Sequence, residues 1–354
     1  MKKAFITFVL FLNIMAIAAL LFSYFAIFIP PDKFWPTAIF GLAYPFLALA
    51  NILFIAFWIF VKPRNLMFSL FALLLGFGFL KRYFQLFGDS TDKDGIKVVS
   101  YNVMLFGGEK GSNQRANADR IIGFLNQQNA DIICLQDAQL GRNNAFNAAN
   151  AVKQLKTIEH YHFGRASVTF GVVTFTRYPI IKMGEIRTKN SNNIAIFTDV
   201  LIGKDTVRIF NVHMQSYKID PRKYGIIDSP GITEEEDLRE LREIGGKLKR
   251  GFQFRAGQAR EIRKCIEETP YPVIICGDFN DTPVSYAYQR LLGDRNDAFV
   301  KSGRGMGRTY IGKLPSFRID NIFYSDDFKS YNFKTSSGFR MSDHLPISCT
   351  LVMK

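Results

Sequence analysis

Two long runs without a charged side chain constrain this chain more than any other feature. Ala4–Ile29 and Pro36–Val61 each extend over 26 residues with no Asp, Glu, Lys or Arg. A helix needs about 20 apolar residues to cross the hydrocarbon core of a bilayer, and both runs exceed that. A third stretch, Leu66–Leu80, offers 15 residues before Lys81-Arg82, and apolar character resumes over Tyr83–Phe87. It reaches spanning length if the two cations extend toward the headgroups. The expectation is a three-helix transmembrane anchor over residues 1–87, with spans at about 4–29, 36–61 and 66–87. A cleaved signal peptide is the competing reading, with Lys2-Lys3 as its basic end and Ala16-Ile17-Ala18 as a small-residue cleavage site. The apolar run continues eleven residues past that site, and a second long run follows almost at once. The anchor is the better reading.

Basic residues at the helix ends set the expected orientation. Lys2-Lys3 and the Lys62/Arg64 loop would face the cytoplasm, and the Pro30-Pro31-Asp32-Lys33 turn would face outward. Three crossings then put the C-terminal region on the non-cytoplasmic side, although Lys81-Arg82 would flank it there and argue the other way. Of 45 Lys and Arg and 31 Asp and Glu, residues 1–87 hold seven and one, so both parts of the chain are net basic. The four cysteines show neither close pairing nor zinc-like spacing. They read as small buried hydrophobes, which speaks against a disulfide framework and against a zinc site.

Residues 88–95 (GDSTDKDG) are polar and read as a linker. Beyond it, strands are expected over 96–102, 131–136, 168–175, 194–201, 206–213, 274–277, 318–324 and 347–352, with helices over 116–128 and 255–268. Residues 214–255 read as a long polar excursion. Many strands, few helices and the region's length fit an α+β fold, a two-sheet β-sandwich flanked by helices in four layers.

The residues that carry chemistry cluster late in the chain. Cys276-Gly277-Asp278-Phe279-Asn280-Asp281 follows the apolar run Val273-Ile274-Ile275, and Ser342-Asp343-His344-Leu345-Pro346 follows some sixty residues later. In a strand, Asp and Asn two positions apart share a face. An Asp-His pair adds a hard oxygen donor beside a base that titrates near neutrality. Together they suit metal-assisted hydrolysis of a phosphate ester. Each residue alone has a plainer reading, since an Asp after a strand is usually a turn residue. His160 and His162 match no motif and are read as structural.

Taken in order, the motifs over 96–354 resemble the endonuclease/exonuclease/phosphatase superfamily, which includes deoxyribonucleases, abasic-site endonucleases, inositol-polyphosphate phosphatases and bacterial sphingomyelinases. The carriers are Val98-Val99-Ser100-Tyr101-Asn102-Val103, Ile133-Cys134-Leu135-Gln136-Asp137, Phe210-Asn211-Val212-His213, Gly277-Asp278-Phe279-Asn280, Arg318-Ile319-Asp320 and Ser342-Asp343-His344. Independent turn residues have no reason to fall in this order. The resemblance implies a metal site for Mg²⁺, with Mn²⁺ an alternative, held chiefly by Asp137 with Asn102 and Asp343. It implies a catalytic set of His213, Asp278, Asn280, Asp320 and His344. Asp278 would orient or deprotonate the attacking water, His344 would work with Asp320, and Asn280 and His213 would donate to phosphoryl oxygens.

One departure matters: the family usually carries Glu where this chain has Asp137. The shorter side chain would sit roughly 1.5 Å further from an unmoved ion, and magnesium tolerates little geometric error. A shifted backbone, a bridging water, a preference for manganese or reduced activity would each follow. Asn321, where aromatic residues are common in relatives, is a lesser departure.

The implied function is a membrane-anchored, metal-dependent phosphoric ester hydrolase. Lys247, Lys249, Arg250, Arg255, Arg260, Arg263 and Lys264, with Phe252 and Phe254 between them, read either as a strip for nucleic-acid phosphates or anionic headgroups or as a solvated helix face. The strip puts nucleic acid slightly ahead of phospholipid as the substrate. A non-catalytic binding protein with a degenerate metal site is the third reading, and the retained acids and His344 argue against it. Expected partners are the phosphate-ester substrate and the bilayer; no protein partner is inferable.

Overall fold

The computed structural model describes residues 2–107, 113–139, 146–167, 169–189, 191–217, 235–312 and 317–354. Val168, at the start of an expected strand, and 218–234 of the expected polar excursion lie outside the described residues. Four helices come first: α1 (Lys2–Ser23), α2 (Pro36–Val61), α3 (Leu66–Leu75) and α4 (Phe77–Lys81). The chain continues through β1 (Phe84–Gln85), β2 (Ile96–Asn102), α5 (Gln114–Gln128), β3 (Ile132–Gln139), α6 (Ala148–Gln154), β4 (His160–Arg165), β5 (Phe170–Thr176), β6 (Ile180–Arg187), β7 (Ile194–Ile202) and β8 (Asp205–His213). It ends with α7 (Glu235–Glu267), β9 (Val273–Asp278), α8 (Tyr286–Leu292), β10 (Asn296–Asp297), α9 (Ala298–Ser302), β11 (Gly305–Met306), β12 (Asp320–Tyr324), β13 (Phe328–Thr335) and β14 (Ile347–Met353).

Two six-stranded sheets, ordered β10-β12-β9-β8-β7-β6 and β13-β14-β2-β3-β5-β4, form the sandwich. Each is antiparallel apart from one central parallel pair, β8–β9 in the first and β2–β3 in the second. A parallel pair needs a long crossover, and the connections carrying α7 and α5 supply them. Adjacent residues therefore serve different cores. Val98, Cys134, Ile274 and Cys276 pack between the sheets, whereas Val99 and Ile133 face α5 and α6, and Ile275 faces α7 and α8. Strands covered on both faces read as continuous apolar runs rather than alternating ones. Cys349 joins Cys134 and Cys276 in the inter-sheet core, and all four cysteines are free thiols.

The N-terminal region differs from expectation. Among the described residues two helices, not three, are long and apolar enough to cross a bilayer, over Lys3–Ile27 and Pro36–Val61. The third stretch breaks at Gly76, where a Cβ would lie 2.2 Å from the Tyr24 hydroxyl. That hydroxyl donates to the Ala72 carbonyl at 2.9 Å, closing off the end of α3. After α4 the chain becomes extended, and β1 pairs antiparallel with β11 in a two-stranded sheet separate from the sandwich sheets.

These helices are joined to the sandwich. Val284, just before α8, is buried with Leu20, Ile27, Tyr44, Ala48, Ala72 and Leu73 of the helical region. Arg82 donates to the Pro283 carbonyl at 2.8 Å and to Gln289 at 2.9 Å. Arg260 of α7 forks onto both carboxylate oxygens of Asp32, at 3.0 Å each.

The expected polar excursion is also corrected. Residues 235–255 belong to α7, a 33-residue helix continuous with the one expected from Arg255. Its stripe of Phe252, Ala256, Ala259, Ile262 and Ile266 is buried, and its remaining faces are charged.

Candidate active site

The chemistry-bearing residues arrive from strand ends of both sheets. Asp278 ends β9 and lies opposite Asp320, the first residue of β12, in the antiparallel register. His213 ends β8 and pairs with Asp278 across the parallel ladder. Asn102 ends β2 in the other sheet and donates through Nδ2 to Asp278 Oδ2 at 2.9 Å, spanning the sandwich. His344 sits in the turn before β14, its Nδ1 2.9 and 3.1 Å from the two oxygens of Asp320. Its Nε2 is 3.7 Å from Asp278 Oδ2. These five side chains are almost fully buried.

Asn280 reaches Asp278 by a different route from the strand alternation expected. It lies beyond the strand in the left-handed region, at φ 51°. Its backbone N–H donates to Asp278 Oδ1 at 2.8 Å, and its Nδ2 donates to Asp278 Oδ2 at 3.0 Å and to the Met214 carbonyl at 2.9 Å. Both amide hydrogens are engaged, so Asn280 steadies Asp278 and has none left for a phosphoryl oxygen.

Asp137 occupies an irregularity in β3. The register with β5 shifts between Leu135 and Ala138, and Asp137 lies at φ 50°. Its carboxylate is 3.4 Å from His213 Nδ1, and its side chain is 26% exposed. Nearby, Met104, Leu105 and Phe106 all run at positive φ just after Asn102, whose Oδ1 accepts from the Met104 N–H at 3.0 Å. Non-glycine residues in this conformation are costly and cluster where a loop is shaped for a site. Asp343 is half-buried, with only a long contact from the Ser342 hydroxyl, at 3.4 Å, to its carboxylate. No hydrogen bond or ion pair joins Asp137, Asn102 and Asp343 among the described residues.

Electrostatics divides the acids. Burial pushes Asp278 up to about 6, against the pull of the two histidines. Burial works to lower His344, but Asp320 and Asp278 together outweigh it and raise the imidazole to about 10. At neutral pH His344 is therefore a buried cation held by Asp320.

Ligand atoms of Asp278, Asp320 and His344 lie within 4.8 Å of one another, a spacing that admits a metal ion. Asp278 already accepts three protein hydrogen bonds and Asp320 holds His344, however, and a protonated imidazole is no ligand. Asp137 and Asp343 keep carboxylate oxygens free of strong protein donors, and with Asn102 Oδ1 they are oxygen donors of the hard kind that Mg²⁺ takes. His213 Nδ1, buried and without a hydrogen bond, lies 3.4 Å from the Asp137 carboxylate. The residues present fit a divalent cation.

Several supporting residues are assigned no role by the sequence motifs. Thr309 Oγ1 accepts from the N–H groups of both Ile319 and Asp320, at 3.1 Å. The Tyr310 ring stands edge-on to His344 at 5.3 Å. Asn211 donates to the Leu135 and Val173 carbonyls and accepts from Gln136, tying the sheets together. A lone Asn inside the apolar run Ile209-Phe210-Asn211-Val212 is the signal that could have exposed it. His162, read as structural, is buried with Nδ1 2.8 Å from Thr198 Oγ1.

The basic strip on α7 is largely engaged. Arg255 is fully buried against Asp281 at 3.0 Å, Arg260 holds Asp32, and Lys247 reaches Glu243 at 2.9 Å. Arg263 and Lys264 pair with Glu267 and Glu268, and Lys249 lies over the Trp35 ring at 5.9 Å.

Structures that resemble this chain include an endonuclease/exonuclease/phosphatase from Beutenbergia cavernae, at 16% identity and a TM-score of 0.54, covering 74% of this chain and 72% of that one. A family protein from Leptotrichia buccalis matches at 18% identity and 0.51, over 73% and 100%. The human Nocturnin catalytic domain, solved with a bound sulfate anion, matches at 16% and 0.52, over 73% and 95%. Such identities establish a shared fold. No curated protein matches the chain. A model described as a domain of unknown function matches residues 5–83. The family whose model matches residues 99–344 generally hydrolyses phosphoester bonds and typically uses a divalent metal. With that match over most of the chain, and with the sandwich and its buried Asp-Asp-His group, the protein belongs to the Endonuclease/Exonuclease/phosphatase family.

Proposed function

We propose that this protein is a membrane-anchored, divalent-metal-dependent hydrolase of phosphate esters. The observation that carries the reading is the buried His344–Asp320 pair set 3.7 Å from Asp278, itself held by Asn102 and Asn280. Asp278, raised toward neutrality, takes a proton from the attacking water or orients it. His344, kept cationic by Asp320, stabilises negative charge on the phosphoryl group. His213, whose Nδ1 makes no hydrogen bond and lies 3.4 Å from Asp137, contacts the same group. Asp137 and Asp343, with Asn102, would hold the ion, which when bound supplies Lewis-acid stabilisation of developing oxygen charge.

Membrane anchoring rests on α1 and α2. The Asp32 turn and the Arg82 end of the third stretch both touch the sandwich, which supports placing them on one side of the bilayer. Lys2-Lys3 and Lys62/Arg64 then lie on the opposite, cytoplasmic side. Arg82, which argued against this orientation, is bonded to Pro283 and Gln289.

For the substrate, the engagement of the α7 cations weakens the nucleic-acid reading. A phospholipid headgroup gains from another contact: Phe317 packs edge-on to Phe46 of α2 at 6.2 Å. Counting about 20 residues back from Val61 puts the hydrocarbon boundary near residue 42, so Phe46 lies inside it. Phe317 is three residues from Asp320.

The test uses the full chain in detergent and in vesicles, with Mg²⁺, Mn²⁺ or EDTA. Supercoiled DNA, single-stranded RNA, sphingomyelin, phosphatidylinositol phosphates and bis-p-nitrophenyl phosphate are assayed in parallel. Metal-dependent turnover that disappears in His344→Ala is expected. Folded, metal-supplied protein that turns over none of them would sink the proposal.

A further inference from the structure

A cleft of about 520 Å³ lies where the outer end of α1 meets α7 and α8, away from the catalytic residues. One wall is apolar, from Ile27, Phe28 and Pro30; the other carries Lys33, Arg263 and Arg290. Lys33 and Arg290 are exposed and form no ion pair among the described residues. The neighbouring acids are already occupied. Asp32 is forked by Arg260, Glu267 is bound to Arg263 at 2.5 Å, and the exposed Asp294 pairs with Arg295 at 3.0 Å. Arg263 Nη1 is buried without a hydrogen-bond partner, 3.5 Å from Asp294. Its place depends on Gly293, because a Cβ there would come within 1.7 Å of that nitrogen.

The cleft also sits at a defined depth. Counting about 20 residues outward from Lys3 brings the far hydrocarbon boundary to about residue 23, so Ile27–Lys33 lie at headgroup level. Phe28 is 69% exposed and Phe34 49% exposed beside it, a placement suited to burying apolar rings at the headgroup/acyl boundary. An apolar wall continuous with the hydrocarbon, facing unpaired cations at headgroup depth, matches one ligand chemistry. We propose that this cleft binds the phosphate of an anionic membrane lipid, with Lys33 and Arg290 on the phosphate and the exposed Phe28 against the acyl chain. The inference rests on the membrane reading of α1 and α2, and it is independent of catalysis.

The experiment floats full-length protein with phosphatidylcholine vesicles and then measures lipid retained through detergent exchange by native mass spectrometry. Vesicles contain phosphatidylcholine alone or mixed with phosphatidylglycerol. Selective retention of phosphatidylglycerol is expected, weakened roughly thirtyfold by Lys33→Gln/Arg290→Gln, since each cation near the surface contributes about one power of five. Equal retention by the double variant, or equal retention of both lipids, would overturn the proposal. Displacement of the lipid by inorganic phosphate at matched concentration would reassign the cleft to a free anion and also overturn it. Failure to float with any vesicle would remove the membrane reading itself, and the lipid site with it; floating without selective retention would leave the anchor standing and remove the cleft alone.

Discussion

The helical region and the sandwich both bury polar side chains, and they do so in opposite ways. In the helices, Trp58 donates to Asn13 at 2.8 Å, Asn13 to Ser69 at 2.7 Å, and Ser69 to Asn51 at 2.9 Å. Asn51 closes the chain on the Leu47 and Ala16 carbonyls. This network carries no charge, and it locks three helices together where apolar contacts alone would let them slide. In the sandwich, the buried group is charged, contains two carboxylates facing each other across a ladder, and leaves His213 Nδ1 without a partner. A satisfied neutral network serves the fold. A charged one with a ring nitrogen not yet hydrogen-bonded leaves something for a ligand to bond.

That contrast can be broken by mutation. His344→Ala should lower kcat by about 10³-fold or more with far-UV circular dichroism close to the parent, and, because it leaves Asp320 buried without its partner, it should also lower the melting transition. A large loss of stability with little loss of rate would place His344 in the first category. Arg255→Ala should cost stability with little change in rate, by orphaning Asp281 in the interior at about 3–5 kcal/mol, read by thermal unfolding in detergent. Asn13→Leu should cost about 1–2 kcal/mol by stranding Trp58 and Ser69, with kcat unchanged; a changed kcat would show that the helix network reaches the active site.

The charge states give a pH signature. Activity should rise with pH through about 6 as Asp278 loses its proton, and fall through about 10 as His344 loses its own. For stability the sign follows from the raised imidazole. The His344 contribution is fully present below the unfolded value of 6.5 and is lost as pH rises through about 10. A rate that stays flat between pH 5 and 7, measured on bis-p-nitrophenyl phosphate, would remove Asp278 as the base. The smallest expected effect is Asp137→Glu. If the left-handed turn at Asp137 only partly makes up for the missing methylene, apparent Mg²⁺ affinity should improve by about tenfold, read by metal titration of activity. A weaker affinity would mean that the turn already delivers the carboxylate correctly.

Much of the site was legible because its residues end strands, and strand ends have signatures: an apolar run, then a polar cluster. What remained hidden was held by distance or by weak burial. β6 carries Lys182, Met183 and Glu185 on exposed positions at a sheet edge, so it shows no alternation to read. β13, also an edge strand, mixes Lys, Ser, Asn and Thr with its three aromatic residues and is interrupted by a register shift after Tyr331. The 235–255 segment looked like loop because one narrow stripe of a long charged helix is buried, and charge dominates its composition. The third apolar stretch looked long enough to span because no local signal marks Gly76 as the place where Tyr24, fifty residues earlier, fills the helix groove. Arg255 was read as surface charge because its partner Asp281 is 26 residues away.

Val284 carries one more implication. The sequence signature of the family begins at residue 99, and the polar stretch before it looks like a natural place to cut. A fragment starting at Gly88 would nevertheless bare Val284, strip Arg82 from the Pro283 carbonyl and remove the strand paired with Gly305-Met306. All three wounds fall on the segments that follow Asn280 or precede Asp320. Excising the helices would thus loosen the catalytic loops from behind, so that a soluble truncation and a dead enzyme could be the same object, and silence from such a fragment would say nothing about the intact protein.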